Sequence, residues 1–159
     1  MPIELILHKA TVPEGQPYHD LKAYLGGLPN AVPEGDDFVF CDEEQGLYVV
    51  VQLGNLVQES FHPGPDSADQ CNAITIRIPA DPPAHLVEPL AEFAFNIARR
   101  TGWSVYERST NQHFSDEQAL ARRLAGPTVP LPVPASGCMS LLLLLIVLIL
   151  LDHGFFAVH

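Results

Sequence analysis

The chain has 159 residues, with 19 acidic and eight basic side chains and a formal net charge of −11 at pH 7. This balance argues against binding to nucleic acid, because contacts with a phosphate backbone require lysine and arginine side chains that displace counterions. It favours a protein partner that is itself basic, since a negative surface accelerates association with such a partner.

The cysteines indicate a reducing compartment. Cys41, Cys71 and Cys138 lie far apart in the sequence and form no Cys-x-x-Cys pair, which is not the pattern of a disulfide-stapled secreted domain. The N-terminal residues lack the basic start and the long apolar run of a signal peptide. We therefore expect the folded part of the chain to lie in the cytosol.

The first part of the chain predicts three strands and one helix. The short apolar segment 3–7 predicts a strand, and residues 17–25 place apolar side chains on one helical face before two glycines. Residues 38–41 and 47–53 follow as strands, and the second of these is rich in β-branched side chains.

The next segments predict turns and one further strand. Residues 42–46 end in a glycine and predict a hairpin turn, whereas residues 60–72 contain a Pro-Gly-Pro sequence and predict a loop. Residues 73–78 alternate between apolar and polar side chains. This alternation is typical of a half-buried antiparallel strand.

The last third of the folded part predicts two helices around a short strand. A helix capped by Asp81 is expected to continue to Gly102, where a glycine ends it. Residues 103–106 predict the strand. Ser115 and Gln118 have the spacing of a capping box, so a third helix is expected from Ser115 to about Ala125.

This order of elements predicts an α+β domain over residues 1–126. Helices and strands mix without a regular βαβ repeat, and the central hairpin is antiparallel. We expect an antiparallel or mixed sheet of about five strands with helices packed on one face.

The rest of the chain predicts a linker and one C-terminal transmembrane helix. Residues 127–138 are rich in proline and predict a stiff, extended linker. Residues 139–151, or 135–151 at the longest, are uncharged and include eleven consecutive large aliphatic side chains, which favours a helix surrounded by lipid. A short tail at 152–159 follows. The alternative is a helix buried in the domain or docked on a partner.

The orientation of this anchor is predicted from two arginines. Arg122 and Arg123 are the only basic residues near the apolar segment. Positive residues tend to remain on the cytoplasmic side of a membrane. The N-terminal domain is therefore expected to face the cytoplasm.

No motif in the sequence predicts catalysis, a cofactor or a metal site. The chain contains no phosphate-binding loop, dinucleotide fingerprint, nucleophile elbow or zinc-protease motif. Cys41 precedes three acidic residues, which would raise the pKa of its thiol and make it a poor nucleophile. A small enzyme that uses His62, His113 or Cys71 stays open as an alternative.

Six acidic residues flank the strand predicted at 38–41 and are the candidate partner-binding residues. They are Glu34, Asp36, Asp37, Asp42, Glu43 and Glu44. Because they lie at both ends of one short strand, they could present a negative surface to a basic cleft on another protein. The alternative is that they are ordinary polar turn residues.

The segment Leu90–Tyr106 combines an amphipathic helix, an Arg-Arg-Thr-Gly-Trp stop and a short Val-Tyr strand. It resembles the small immunity proteins that are encoded beside bacterial polymorphic or contact-delivered toxins. The likeness departs at Glu107-Arg108, where an acidic turn is expected, and at the hydrophobic tail. It implies a non-catalytic protein that binds and blocks a toxin, but it assigns no site residues.

The leading prediction is therefore an immunity protein that occludes a basic toxin domain and is held at the cytoplasmic face of a bacterial inner membrane. A cytoplasmic location is the alternative. A membrane-tethered adaptor or assembly factor would use the same surface and stays open as a second function.

Overall fold

The computed structural model describes residues 2–9, 15–42 and 46–126, with Asp42 described by its backbone. The predicted linker, anchor and tail over 127–159 lie outside these residues, as do Glu43 and Glu44. Residues up to Gly126 group into one unit.

The described residues form ten strands, three α-helices and one 3₁₀ turn. In chain order they are β1 (Ile3–His8), β2 (Gln16–Pro17), α1 (Tyr18–Gly26), β3 (Ala31–Glu34), β4 (Asp37–Asp42), β5 (Leu47–Val57), β6 (Ser60–Pro63), β7 (Gln70–Cys71), β8 (Ala73–Ile78), the 3₁₀ turn (Ala84–Leu86), α2 (Val87–Thr101), β9 (Ser104–Glu107), β10 (Gln112–Phe114) and α3 (Glu117–Leu124).

Eight of these strands form one sheet in the order β10-β9-β1-β8-β5-β4-β3, with β6 paired to the far end of β5. All its pairs are antiparallel. Strands β2 and β7 form a separate two-stranded pair. The predicted α+β class and the antiparallel sheet are confirmed, but the expected count of about five strands was too low.

The helices cover one face of the sheet. Ile74, Ile76 and Ile78 of β8 are buried in the same cluster as Leu90 and Ile97 of α2. Because side chains alternate across a strand, the intervening residues of β8 lie on the opposite face, which the helices among the described residues leave uncovered. Thr75 on that face is nevertheless buried. β8, which the alternation of apolar and polar residues predicts to be half-buried, is therefore buried at all but one residue.

The second helix begins later than the sequence predicts. Asp81 does not cap it: the chain first makes the 3₁₀ turn, and α2 then begins at Val87. Pro89 lies in the first turn of α2, where the missing N–H costs no helical hydrogen bond. Gly102 ends the helix with a φ of 72°, as the sequence predicts.

The structure corrects two further expectations, one for the segment 60–72 and one for the cap of the third helix. The segment 60–72, predicted as a loop, contains β6 and β7. The third helix is capped by Asp116 and not by Ser115, because the Asp116 carboxylate accepts a hydrogen bond from the N–H of Ala119 at 2.8 Å. The Ser115 hydroxyl donates to that same carboxylate.

Within the part of the chain that the structure describes, no helix has the length and apolarity that crossing a membrane requires. The apolar run at 139–151 is not among these residues.

Candidate interaction surface

The β3–β4 hairpin forms one edge of the sheet and carries three of the six acidic candidates in its turn. Its turn is Glu34-Gly35-Asp36-Asp37, in which Glu34 pairs with Asp37 across the strands. Gly35 has a φ of 65°, as the first central position of a type II′ hairpin turn requires. This hairpin was not predicted, although a glycine in a two-residue turn between apolar segments is a known signal for one.

The three acidic side chains of the hairpin differ in their partners. Asp36 accepts a hydrogen bond from the Tyr18 hydroxyl at 2.8 Å and lies 3.4 Å from the Lys22 ammonium group. The hydrogen bond from Tyr18, followed by that from Lys22, lowers the pKa of the Asp36 carboxyl. Asp36 therefore ties the turn to α1 and is not free for a partner.

Glu34 and Asp37 are more available. Asp37 accepts a hydrogen bond from the side-chain amide of Gln52 at 2.8 Å, which fixes its carboxylate without neutralising it. Glu34 is exposed, and its carboxylate forms neither a hydrogen bond nor an ion pair with any other residue that the structure describes. Because the two residues face each other across the hairpin, their charges add on the uncovered side of the sheet.

Apolar side chains lie beside these two charges. Val32, Val39 and Val50 are adjacent in register across β3, β4 and β5 and share the uncovered face. Val32 is 51% exposed, and Tyr48, two residues before Val50 on β5 and therefore on the same face, is 53% exposed. We call Val32, Glu34, Asp37 and Tyr48 the edge surface.

The backbone of β3 offers no outward donor to an incoming strand. In a two-residue hairpin the closing pair exchanges hydrogen bonds, so Ala31 and Pro33 direct their backbone groups away from β4. Pro33 has no N–H, and the N–H of Ala31 donates to the Leu28 carbonyl at 3.3 Å. Protection of this kind is common at sheet edges. A partner would therefore contact side chains here and would not extend the sheet.

The remaining acidic candidates are not brought into this surface by the described residues. Asp42 pairs with Leu47 at the opposite end of β4, and Glu43 and Glu44 lie outside the described residues. The structure therefore describes the acidic side chains at one end of the strand alone.

The residues considered for catalysis lie on separate strands. His62 is exposed on β6, and His113 of β10 stacks on the Tyr106 ring at 5.3 Å. Burial, followed by Asp66 and Asp69, raises the pKa of the Cys71 thiol to about 11, so this thiol stays protonated at neutral pH. No hydrogen bond joins any two of these three within the residues described, nor do those residues hold a cluster of three or more metal-ligand side chains.

A buried ion pair was not predicted from the sequence. Glu107 at the end of β9 is 1% exposed, and its two carboxylate oxygens accept hydrogen bonds from Arg123 of α3, each at 2.7 Å. Arg123, which the sequence suggested as a signal for membrane orientation, therefore has a carboxylate partner within the domain. Arg122 is exposed beside it.

Comparison of the chain with protein families, with curated proteins and with solved structures found no significant match. The resemblance to toxin immunity proteins therefore stays a prediction.

Proposed function

We propose that the chain is a non-catalytic binding protein whose edge surface binds a basic protein partner. In line with the resemblance of residues 90–106, that partner is a bacterial toxin domain, and the chain acts as an immunity protein by covering the toxin's site. The observation that carries the proposal is the unpaired Glu34 carboxylate beside Asp37, next to the exposed side chain of Val32, with the exposed Tyr48 further along the same face of the sheet.

The composition of the edge surface supports this proposal. Protein interfaces combine an apolar centre with a polar rim, and tyrosine is enriched among the residues that contribute most to binding. Tyr48 and Val32 supply the apolar contact. Glu34 and Asp37 supply charges that steer a basic partner and accept hydrogen bonds from its lysine or arginine side chains.

The proposed location rests on the composition of the second part of the chain. The apolar segment 139–151 is proposed to hold the domain at the cytoplasmic face of the inner membrane, where an incoming toxin would be met early. An adaptor that uses the same surface would need this tether for its function, whereas an occluding inhibitor would still bind its toxin without it.

Co-purification with the product of the neighbouring reading frame tests the function. The double variant E34K/D37K reverses both charges of the edge surface. The control D81K/E88K makes the same change in net charge at two exposed residues near the start of α2. We expect the neighbouring product to be retained by the native chain and by the control, and lost by E34K/D37K.

Two outcomes would overturn the proposal. One is a neighbouring product that is not toxic and does not bind. The other is equal loss of binding in both double variants, since net charge and not the edge surface would then account for the interaction.

A further inference from the structure

The uncovered face of the sheet carries a second charged group besides the edge surface. Arg77 of β8 and Arg108, which follows β9, both contact the carboxylate of Glu4 on β1, at 3.7 Å and 3.3 Å. Two guanidinium groups share one carboxylate, so the net charge of the three side chains is +1. The two arginine side chains are 45% and 43% exposed. We call Glu4, Arg77 and Arg108 the arginine cluster.

A chain of hydrogen bonds connects the arginine cluster to the edge surface. The guanidinium group of Arg77 donates to the side-chain oxygen of Gln52 at 3.5 Å, and the amide of Gln52 donates to Asp37 at 2.8 Å. Gln52 pairs in register with both Asp37 and Thr75. Thr75 lies two residues from Arg77 on β8, so all these side chains share one face of the sheet.

The opposite charges lie at the two ends of this face. With about 4.8 Å between strands and about 3.4 Å per residue along them, Arg77 is about 12 Å from Asp37 and about 16 Å from Glu34. Valines lie between the two ends, because Val50 pairs with Arg77 on one side and with Val39 on the other. The face therefore has a negative end, an apolar centre and a positive end.

A face with this pattern is complementary to itself. Two identical chains related by a two-fold axis contact each other through the same patch, in which residue i of one copy meets residue j of the other, and j meets i. An axis midway between the two charged ends passes close to Val50. It brings Glu34 and Asp37 of each copy opposite the arginine cluster of the other copy. Each charge contact then forms twice, and the two apolar centres meet.

The available area limits the strength of such a contact. At the β1 end of the face, Leu56 and Phe61 pack over Ile6, Ala73 and Tyr106. The remaining strip, from β3 to the arginine cluster, measures roughly 24 Å across the strands by 15–20 Å along them, or about 400–500 Å² per copy. A standard interface buries about 800 Å² per partner, and smaller ones belong to weak, transient complexes. The contact is therefore expected to be reversible.

We propose that the full-length chain forms a weak, reversible homodimer through this face, with the edge surface of each copy against the arginine cluster of the other. The dimer covers Glu34 and Asp37, the two charges proposed above to bind a basic partner. Self-association and binding of that partner therefore exclude each other. This last consequence rests on the proposed function, whereas the dimer itself does not.

Sedimentation of the full-length chain in detergent, with two charge variants, tests the dimer. E34K/D37K makes both ends of the face positive. R77Q/R108Q makes both ends negative, because Glu4 remains in the arginine cluster. We expect the native chain to dimerise as its concentration rises, and each variant alone to lose about tenfold or more in dimer affinity at low salt. An equimolar mixture of the two variants should regain the dimer, because each positive end then faces a negative one.

Two control variants carry the same changes in net charge outside the sheet. D81K/E88K matches E34K/D37K, and R100Q/R122Q matches R77Q/R108Q, in each case at exposed residues. Each control should dimerise like the native chain, and mixing the two controls should add nothing.

Thermal unfolding of the variants shows whether each keeps its fold. If R77Q/R108Q does not fold, Arg108→Gln replaces it, with Arg122→Gln as its control. Arg108→Gln leaves the arginine cluster neutral, so it should weaken the dimer, and Arg122→Gln should not.

Three results would overturn the inference. They are a native chain that stays monomeric at every attainable concentration, a dimer that both charge variants leave unchanged, and a mixture of the two variants that does not regain the dimer. Failure of the proposed function is distinguishable, because sedimentation requires no partner. A neighbouring gene product that does not bind overturns the function and leaves the dimer, whereas a monomeric native chain that binds that product does the reverse.

Discussion

Glu107 and Arg123 join α3 to the end of β9. Burial by itself would raise the pKa of Glu107, but hydrogen bonds from Ser109 and Arg123, with the charge of Arg123, outweigh it and lower the pKa below its usual value of 4.5. A carboxyl whose pKa is lowered by folding stabilises the folded state above the pKa of the unfolded chain. That contribution is lost as the pH falls through the folded pKa.

Glu107→Gln should reduce the free energy of unfolding by about 2–3 kcal/mol at pH 7, because it leaves a partly buried arginine without its carboxylate. The same change at Glu4, which forms surface ion pairs with Arg77 and Arg108, should cost about 1 kcal/mol or less. Urea unfolding across pH tests both. The difference between native chain and E107Q should shrink below pH 4.5, and a difference that grows in acid would contradict the account.

Gly54 lies where β5 contacts β6, and it has no room for a side chain. An added methyl group would collide with the carbonyl oxygen of His62 and the ring of Phe61. Gly54→Ala should therefore destabilise the fold by about 2 kcal/mol. Gly26→Ala is the control, since its methyl group would meet the Phe38 ring at 3.5 Å, an ordinary contact. Thermal unfolding should separate the two variants, and equal midpoints would show that β6 does not pack on β5 as described.

At the level of elements, the start of α3 depends on one side chain. Asp116→Ala removes the acceptor for the Ala119 N–H and should cost about 1 kcal/mol. Ser115→Ala should change the free energy of unfolding by about 0.5 kcal/mol or less. Denaturant unfolding of the two variants distinguishes the observed cap from the one that the sequence favours. A larger effect at Ser115 would reverse the assignment.

The elements that the sequence predicts well are those with a long internal pattern. The alternation of β8 and the apolar spacing of α2 are set by residues within the element itself, so periodicity identifies both. The Gly102 stop is equally local. The start of α2 was misplaced because Asp81-Pro-Pro satisfies the rules for a cap, while the chain first forms the 3₁₀ turn.

The strands that the sequence does not predict form only by pairing with residues distant in sequence. Strands β3, β6 and β10 have four residues or fewer and exist through pairing with a longer strand. Too few residues are present in each for a period to be read.

In the candidate surface, too, some features are set by local sequence and others by contacts between distant residues. Glu34, Asp36 and Asp37 were predicted as a group of charges because they are close in sequence. The pairing of Asp36 with Lys22, and the position of Tyr48 beside the hairpin, come from register and packing. No local pattern carries that information.

On the scale of the whole molecule, the chain combines a described domain with a long uncharged segment. Removing residues 127–159 should release the domain from the membrane fraction of cells, because the apolar segment is the proposed anchor. Leu144→Arg should weaken membrane association of the full chain, since an arginine near the middle of a membrane helix costs about 3 kcal/mol. Fractionation followed by immunoblotting measures both. A full-length chain that remains in the supernatant would contradict the anchor.

The most direct test of the central claim is the association rate with the neighbouring gene product, measured for the full-length chain at low and at high salt. If the edge surface steers a basic partner, E34K/D37K should slow association by about tenfold or more at low salt, with a smaller effect at high salt. D81K/E88K should remain close to the native rate. Equal rates for the two double variants at both salt concentrations would contradict the account.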